Sequence, residues 1–241
     1  MAFSYKLEEL SFRRAFWAAA LVTAALWLIP YGEWVIYPLS LLGTWAHELG
    51  HGLAALLAGG SFQELQLHAD LSGVAVHTAS GGGFTQAFVA AGGLLGPALV
   101  GFAMLLLSSS QRLGNLVLFA VMAALVLTVV LWVRNLFGIV ALSAVAVGIG
   151  ASLWTISGRL RFFLAVLMGI QIGLSGLRNW RYLFTATAWK GQPSDTGLMA
   201  QGLGGSAWLW GAVILALDLG LLFLAYKLVR NRIHEEIEKY A

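Results

Sequence analysis

Seven long apolar runs dominate this sequence, at about residues 15–29, 34–58, 84–107, 116–133, 136–154, 162–177 and 207–226. A helix needs about 20 apolar residues to cross a bilayer, so most of these runs are of spanning length. Only 10% of the 241 residues are charged, where a soluble domain carries about 25%. With a mean hydropathy of +0.82, the chain lacks the polar side chains to cover a water-facing surface. Lipid has to be its solvent. The expectation is an all-α polytopic membrane protein of six or seven spans, forming one integral membrane domain over residues 1–241.

The separators are chain breakers of known chemistry. Pro30, Tyr31 and Gly32 end the first run, and Gly59 and Gly60 close the second as a helix C-terminus commonly closes. The first run lacks a small-residue cleavage site and reads as a retained helix, not a signal peptide. Lys6, Arg13 and Arg14 favour an inside N-terminus, while Lys227, Arg230 and Arg232 favour an inside C-terminus. Both hold only for an even number of spans. The net charge of +3 sits between apolar runs, where topology signals and headgroup contacts belong, and does not suggest nucleic acid. No cysteine is present, which excludes disulfides, thiolate metal sites and a cysteine nucleophile.

Residues 61–83 differ in kind. Leu65 and Leu67 alternate with polar neighbours, residues 70–73 offer a turn, and Val74, Val76 and Thr78 share one side of a strand. That period of two predicts a β-hairpin insertion after the second run. The three glycines at 81–83 form a joint behind it. Small residues crowd the next run (Gly92, Gly93, Gly96, Gly101), permitting close helix–helix approach.

The chemistry lies at His-Glu-Leu-Gly-His, residues 47–51, inside the second run. Residues four apart share a helix face, so His47 and His51 can point two imidazoles at one metal while Glu48 lies alongside. A catalytic zinc lowers the pKa of its water to about 7, and a glutamate beside it acts as general base. Each ionisable group at the centre of a span costs about 2.5–3.5 kcal/mol on insertion scales, so three within five residues call for a function. Catalytic zinc generally takes three protein ligands. His68, Asp70 and His77 fall in the hairpin and read as solvated residues in preference to ligands. Asp218, within the last run, and Asp195, after Pro193 and Ser194 at a helix start, are both candidates for the third ligand. Spacing does not choose between them, and Asp195 also reads as a simple helix cap.

The stretch from Ala46 to Ala55 resembles the site-2 protease family of intramembrane zinc metalloproteases, and most of all its compact bacterial branch without a PDZ insertion. The Gly59-Gly60 helix end with its β segment, the glycine-rich run at 91–97, the Arg134-Asn135-Leu136-Phe137 element, and Ser194-Asp195 before a tryptophan-containing last run are similar too. The resemblance implies Zn2+ held by His47, His51 and an aspartate late in the chain, with Glu48 as general base. Chain order and the serine–aspartate context point to Asp195, with Asp218 as the fallback. Asn135 corresponds to the family's asparagine that holds substrate backbone or the oxyanion. Better-known members place the third aspartate in N-x-x-P-x-x-x-L-D-G, a string absent here. The implied activity is hydrolysis of a peptide bond in a membrane-anchored protein, in a lipid bilayer that is expected to be a prokaryotic plasma membrane. The competing expectation is an inactive protease-like protein that binds a membrane partner around a structural or vestigial metal site. A metal-ion transporter ranks last, because few polar residues line the other runs.

Overall fold

The computed structural model describes residues 2–178, 180–188 and 191–239. Every predicted apolar run is a helix: α1 (Ala2–Leu28), α2 (Gly32–Leu57), α3 (Gly83–Leu107), α4 (Gln111–Leu131), α5 (Leu136–Thr155), α6 (Gly158–Gly173) and, last, α10 (Ala207–Lys239). Three short helices, α7 (Ser175–Arg178), α8 (Trp180–Leu183) and α9 (Asp195–Leu203), connect α6 to α10. Among the described residues, α3, α4, α5 and α10 are long and apolar enough to cross a membrane. A fifth crossing is added if α1 and α2, bent by 119° at their break, count as one span. Length and composition alone thus give four or five candidate crossings, where the sequence leads one to expect six or seven. With 16 residues, α6 falls short, and His47, Glu48 and His51 dilute the apolarity of α2.

Two breakers act as the sequence suggests. Tyr31 takes a left-handed conformation (φ 63°) at the α1–α2 bend. At the end of α2, the Gly60 N–H donates to Ala55 O and the Gly59 N–H to Leu56 O, with Gly59 at φ 78°. This 6→1 and 5→2 pairing satisfies the last carbonyls of α2 and turns the chain into the hairpin.

Strands β1 (Ser61–Leu67) and β2 (Gly73–Thr78) pair antiparallel, with Leu65 opposite Ala75 and Leu67 opposite Gly73. The outer edge of β1 is closed: Leu65 N–H donates to Trp132 O at 2.8 Å and Arg134 N–H to Leu65 O at 3.2 Å. Because the backbone of Leu65 points away from β2, Leu65–Ala75 is a non-hydrogen-bonded pair, and Ala75 in turn points its N–H and C=O away from β1. The alternation gives Gly73 the same direction. On α2, Tyr37 Oη donates to Ala69 O at 2.8 Å and Thr44 Oγ1 to Leu71 O at 2.9 Å, so the hairpin turn is pinned along the helix.

Helix α3 is the central post and touches α2, α6, α9 and α10. Its approach to α2 is a backbone contact, since a Cβ on Gly50 would lie 2.3 Å from Gly92 O. Small residues allow this close packing where apolar side chains alone gain nothing over lipid. Replacing Gly50 with Val is expected to lower stability by about 1–3 kcal/mol through overpacking. A thermal melt in detergent measures it; an unchanged midpoint would contradict the contact.

Candidate metal centre

Helix geometry sets His47 and His51 one turn apart on the same face of α2. Their rings meet edge to face at 4.7 Å between centroids, with Nε2 atoms 3.1 Å apart. Val89 O on α3 lies 3.0 Å from His51 Nδ1. A carbonyl only accepts, so that nitrogen carries the proton and a neutral His51 presents its Nε2 lone pair to the centre. Opposite stands Asp195, whose Oδ2 is 3.3 Å from His47 Nε2 and 3.5 Å from His51 Nε2.

Asp195 reaches this place as the first residue of α9. Ser194 is the cap: its Oγ accepts from Gly197 N–H at 3.1 Å, and its own hydroxyl donates to Thr185 O. Capping therefore falls to the serine, and the carboxylate is left free to face the histidines. Negative charge is favoured at a helix N-terminus. Tyr182 Oη on α8 donates to Asp195 Oδ2 at 3.0 Å. Burial and the adjacent Asp195 carboxylate push the Tyr182 phenol above its ordinary range, so it stays a protonated donor.

His47, His51 and Asp195 form the one group of three among the described residues that could hold a metal ion. Their spacing fits zinc. Tetrahedral bonds of about 2.0–2.2 Å set donor–donor edges at about 3.3–3.6 Å, against the 3.1, 3.3 and 3.5 Å found here. Charge argues the same way. Asp195 and Glu48 are buried at 7% and 6% exposure, and among the described residues the ion pairs of Asp195 run to the two histidines. Buried carboxylates need a cation or a proton.

Glu48 lies under the start of β2, where a Cβ on Gly73 would come within 2.6 Å of its Cγ. The outward amide of Ala75 faces its carboxylate. His77, further along β2, stacks on His51 at 6.2 Å and 18°. Its buried Nδ1 has no hydrogen-bond partner among the described residues, and burial pushes its pKa down. His68, Asp70 and His77 stay outside the metal-holding group. So does Asp218, which is buried on α10 against Gly176, its Oδ1 without a hydrogen-bond partner among the described residues.

Asn135, the residue expected to hold substrate, engages the hairpin in this structure. Both ends of its amide engage the backbone of Leu67, with Nδ2 donating to the carbonyl at 2.5 Å and Oδ1 accepting from the N–H at 3.2 Å. It extends the closed edge of β1 by one more rung. Sequence reasoning missed this, and it missed Tyr182 and Val89 O. A lone tyrosine in a polar connection and a backbone carbonyl leave no pattern to read.

The fold and the centre together define a protein of apolar, membrane-spanning helices with a His-His-Asp group that could hold a metal. The Peptidase M50B-like family matches residues 18–225. The chain belongs to that family and so to the site-2 proteases. Neither a search of curated proteins nor one of solved structures gave a match.

Replacing Asn135 with Ala removes both rungs on Leu67. It is expected to destabilise the hairpin by about 1–3 kcal/mol and to speed amide exchange over 62–78 while zinc content is kept. Unaltered exchange would contradict the anchoring role.

Proposed function

We propose that this chain is an intramembrane zinc metalloprotease acting on a membrane-anchored protein. His47, His51 and Asp195 would hold the metal and Glu48 would serve as general base. The observation that carries this reading is the convergence of three ligand atoms, from helices far apart in sequence, at zinc-like separations within a bundle of apolar helices. The reading takes residues 1–241 as one membrane domain, with six or seven crossings once the shorter apolar helices α1, α2 and α6 are counted with the four long ones.

Zinc bound there supplies Lewis acidity, polarising a carbonyl and acidifying water. The remaining work falls to side chains and backbone. The buried Glu48 accepts a proton from the attacking water and returns it to the leaving amine. A substrate helix hides its peptide bonds in internal hydrogen bonds, so it has to unwind. The hairpin would support that step through its β2 edge, where an extended segment takes the place of Glu48 at the Ala75 amide. With β1 closed by residues 132–135, only β2 remains to receive an extended segment. The Gly73 and Ala75 backbone groups point outward there, beside Glu48. Pairing along that edge would lay a scissile bond over the motif. Asn135 then serves the substrate indirectly, by fixing the strand on which the edge depends.

The test uses purified, zinc-loaded protein and a tethered helical substrate. Glu48→Gln is expected to keep zinc and to lower cleavage by about 10²–10⁴-fold. Equal cleavage by this variant would sink the mechanism, and a wild type that keeps zinc but never cleaves would favour the partner-binding reading. Asp195→Ala is expected to weaken zinc binding sharply, leaving the metal on the two histidines, and Asp218→Asn to leave the affinity unchanged. The reverse pattern would move the third ligand to α10.

A further inference from the structure

The oxygen that Asp195 turns to the histidines is also the one bound by Tyr182. Tyr182 Oη donates to Oδ2 at 3.0 Å, and the same atom lies 3.3 Å from His47 Nε2 and 3.5 Å from His51 Nε2. The contact is reciprocal, because the Asp195 N–H faces Tyr182 Oη at 3.4 Å. An amide proton directed at the phenol oxygen occupies its lone-pair side and leaves the hydroxyl proton free to aim at the carboxylate. The ring itself is held. Tyr182 packs against the cluster of Ala87, Ala90, Leu94, Leu183, Met199 and Ile214, which joins α3, α8, α9 and α10. The phenol is thus a rigid strut from that apolar cluster to one carboxylate oxygen.

We infer that Tyr182 is a positioning residue that orients the Asp195 carboxylate for metal binding and thereby sets zinc affinity. The inference rests on the reading of His47, His51 and Asp195 as ligands. A ligating carboxylate without an outer hydrogen bond is free to rotate about its Cβ–Cγ bond and presents its oxygen to the metal only part of the time. With the phenol in place, Oδ2 points into the centre before the metal arrives. Hydrogen bonds of this outer kind change metal affinity by about 10–100-fold.

The experiment titrates zinc into full-length protein in detergent against a chromophoric chelator, and it needs no substrate. Tyr182→Phe keeps the ring and removes only the hydroxyl. It is expected to weaken zinc binding by about 10–100-fold, with the metal-free melting temperature near that of the wild type and an altered visible spectrum for bound Co2+. In an Asp195→Ala background the same substitution is expected to change affinity by less than about twofold, since coupled residues are non-additive. Should the phenylalanine variant fail to fold, the wild type still reports. Its tyrosine ultraviolet band is expected to shift on zinc addition, and that shift should vanish in Asp195→Ala. Equal zinc affinity for Tyr182→Phe, an equal loss in both backgrounds, or no tyrosine shift would overturn the inference. A wild type that takes up no zinc would instead overturn the metal centre itself.

Discussion

Two imidazole nitrogens and a carboxylate oxygen lie within 3.5 Å of one another inside an apolar bundle, and the surrounding structure is organised around that convergence. In a low-dielectric interior such a cluster is costly unless a cation or a proton joins it. Holding it requires α2 and α9 to stay in fixed relation although 144 positions separate His51 from Asp195 (195 − 51). Helix α3 supplies that relation. It meets α2 through the Gly50–Gly92 backbone contact, fixes the His51 ring through Val89 O, and packs along α9 on its other side. Overpacking at one glycine would therefore be felt at the histidines.

The hairpin is a second consequence of the same geometry. Its turn is tied to Tyr37 and Thr44, the two turns of α2 that precede the motif, and its outer edge is tied to residues 132–135. Those ties leave β2 lying along the histidines, with Gly73 over Glu48 and His77 over His51. A strand with a side chain at position 73 would collide with the proposed base. Sheet edges usually need covering against unwanted pairing. One edge of this hairpin is covered by residues 132–135, and the other lies beside Glu48 and His51.

Much of this was legible in the sequence because it depends on local rules. Apolar runs separated by breakers became helices, Gly59-Gly60 ended α2, and alternation over residues 61–78 became a hairpin. The His47–His51 pair follows from the helical period alone. What stayed hidden depends on tertiary packing. Choosing between Asp195 and Asp218 required knowing that α9 packs along α3 and so brings its first residue to the histidines of α2. The serine–aspartate context pointed to Asp195, and the structure places that residue beside the histidines. The crossing count is the least legible part, because an apolar run can make a helix of only 16 residues, and four or five helices qualify by length and composition where the sequence offers seven runs. Asn135 was read from its motif, yet its amide is taken up by a strand 68 residues away, a pairing that no local pattern announces.

The central claim is that His47, His51 and Asp195 together hold zinc. Zinc K-edge X-ray absorption on the purified protein tests it most directly. The predicted inner shell contains two imidazole nitrogens at about 2.0–2.1 Å and a carboxylate oxygen at about 2.0–2.2 Å, and Asp195→Ala should remove that oxygen. A protein without zinc, or an inner shell that is the same in the Asp195→Ala variant, would contradict the account.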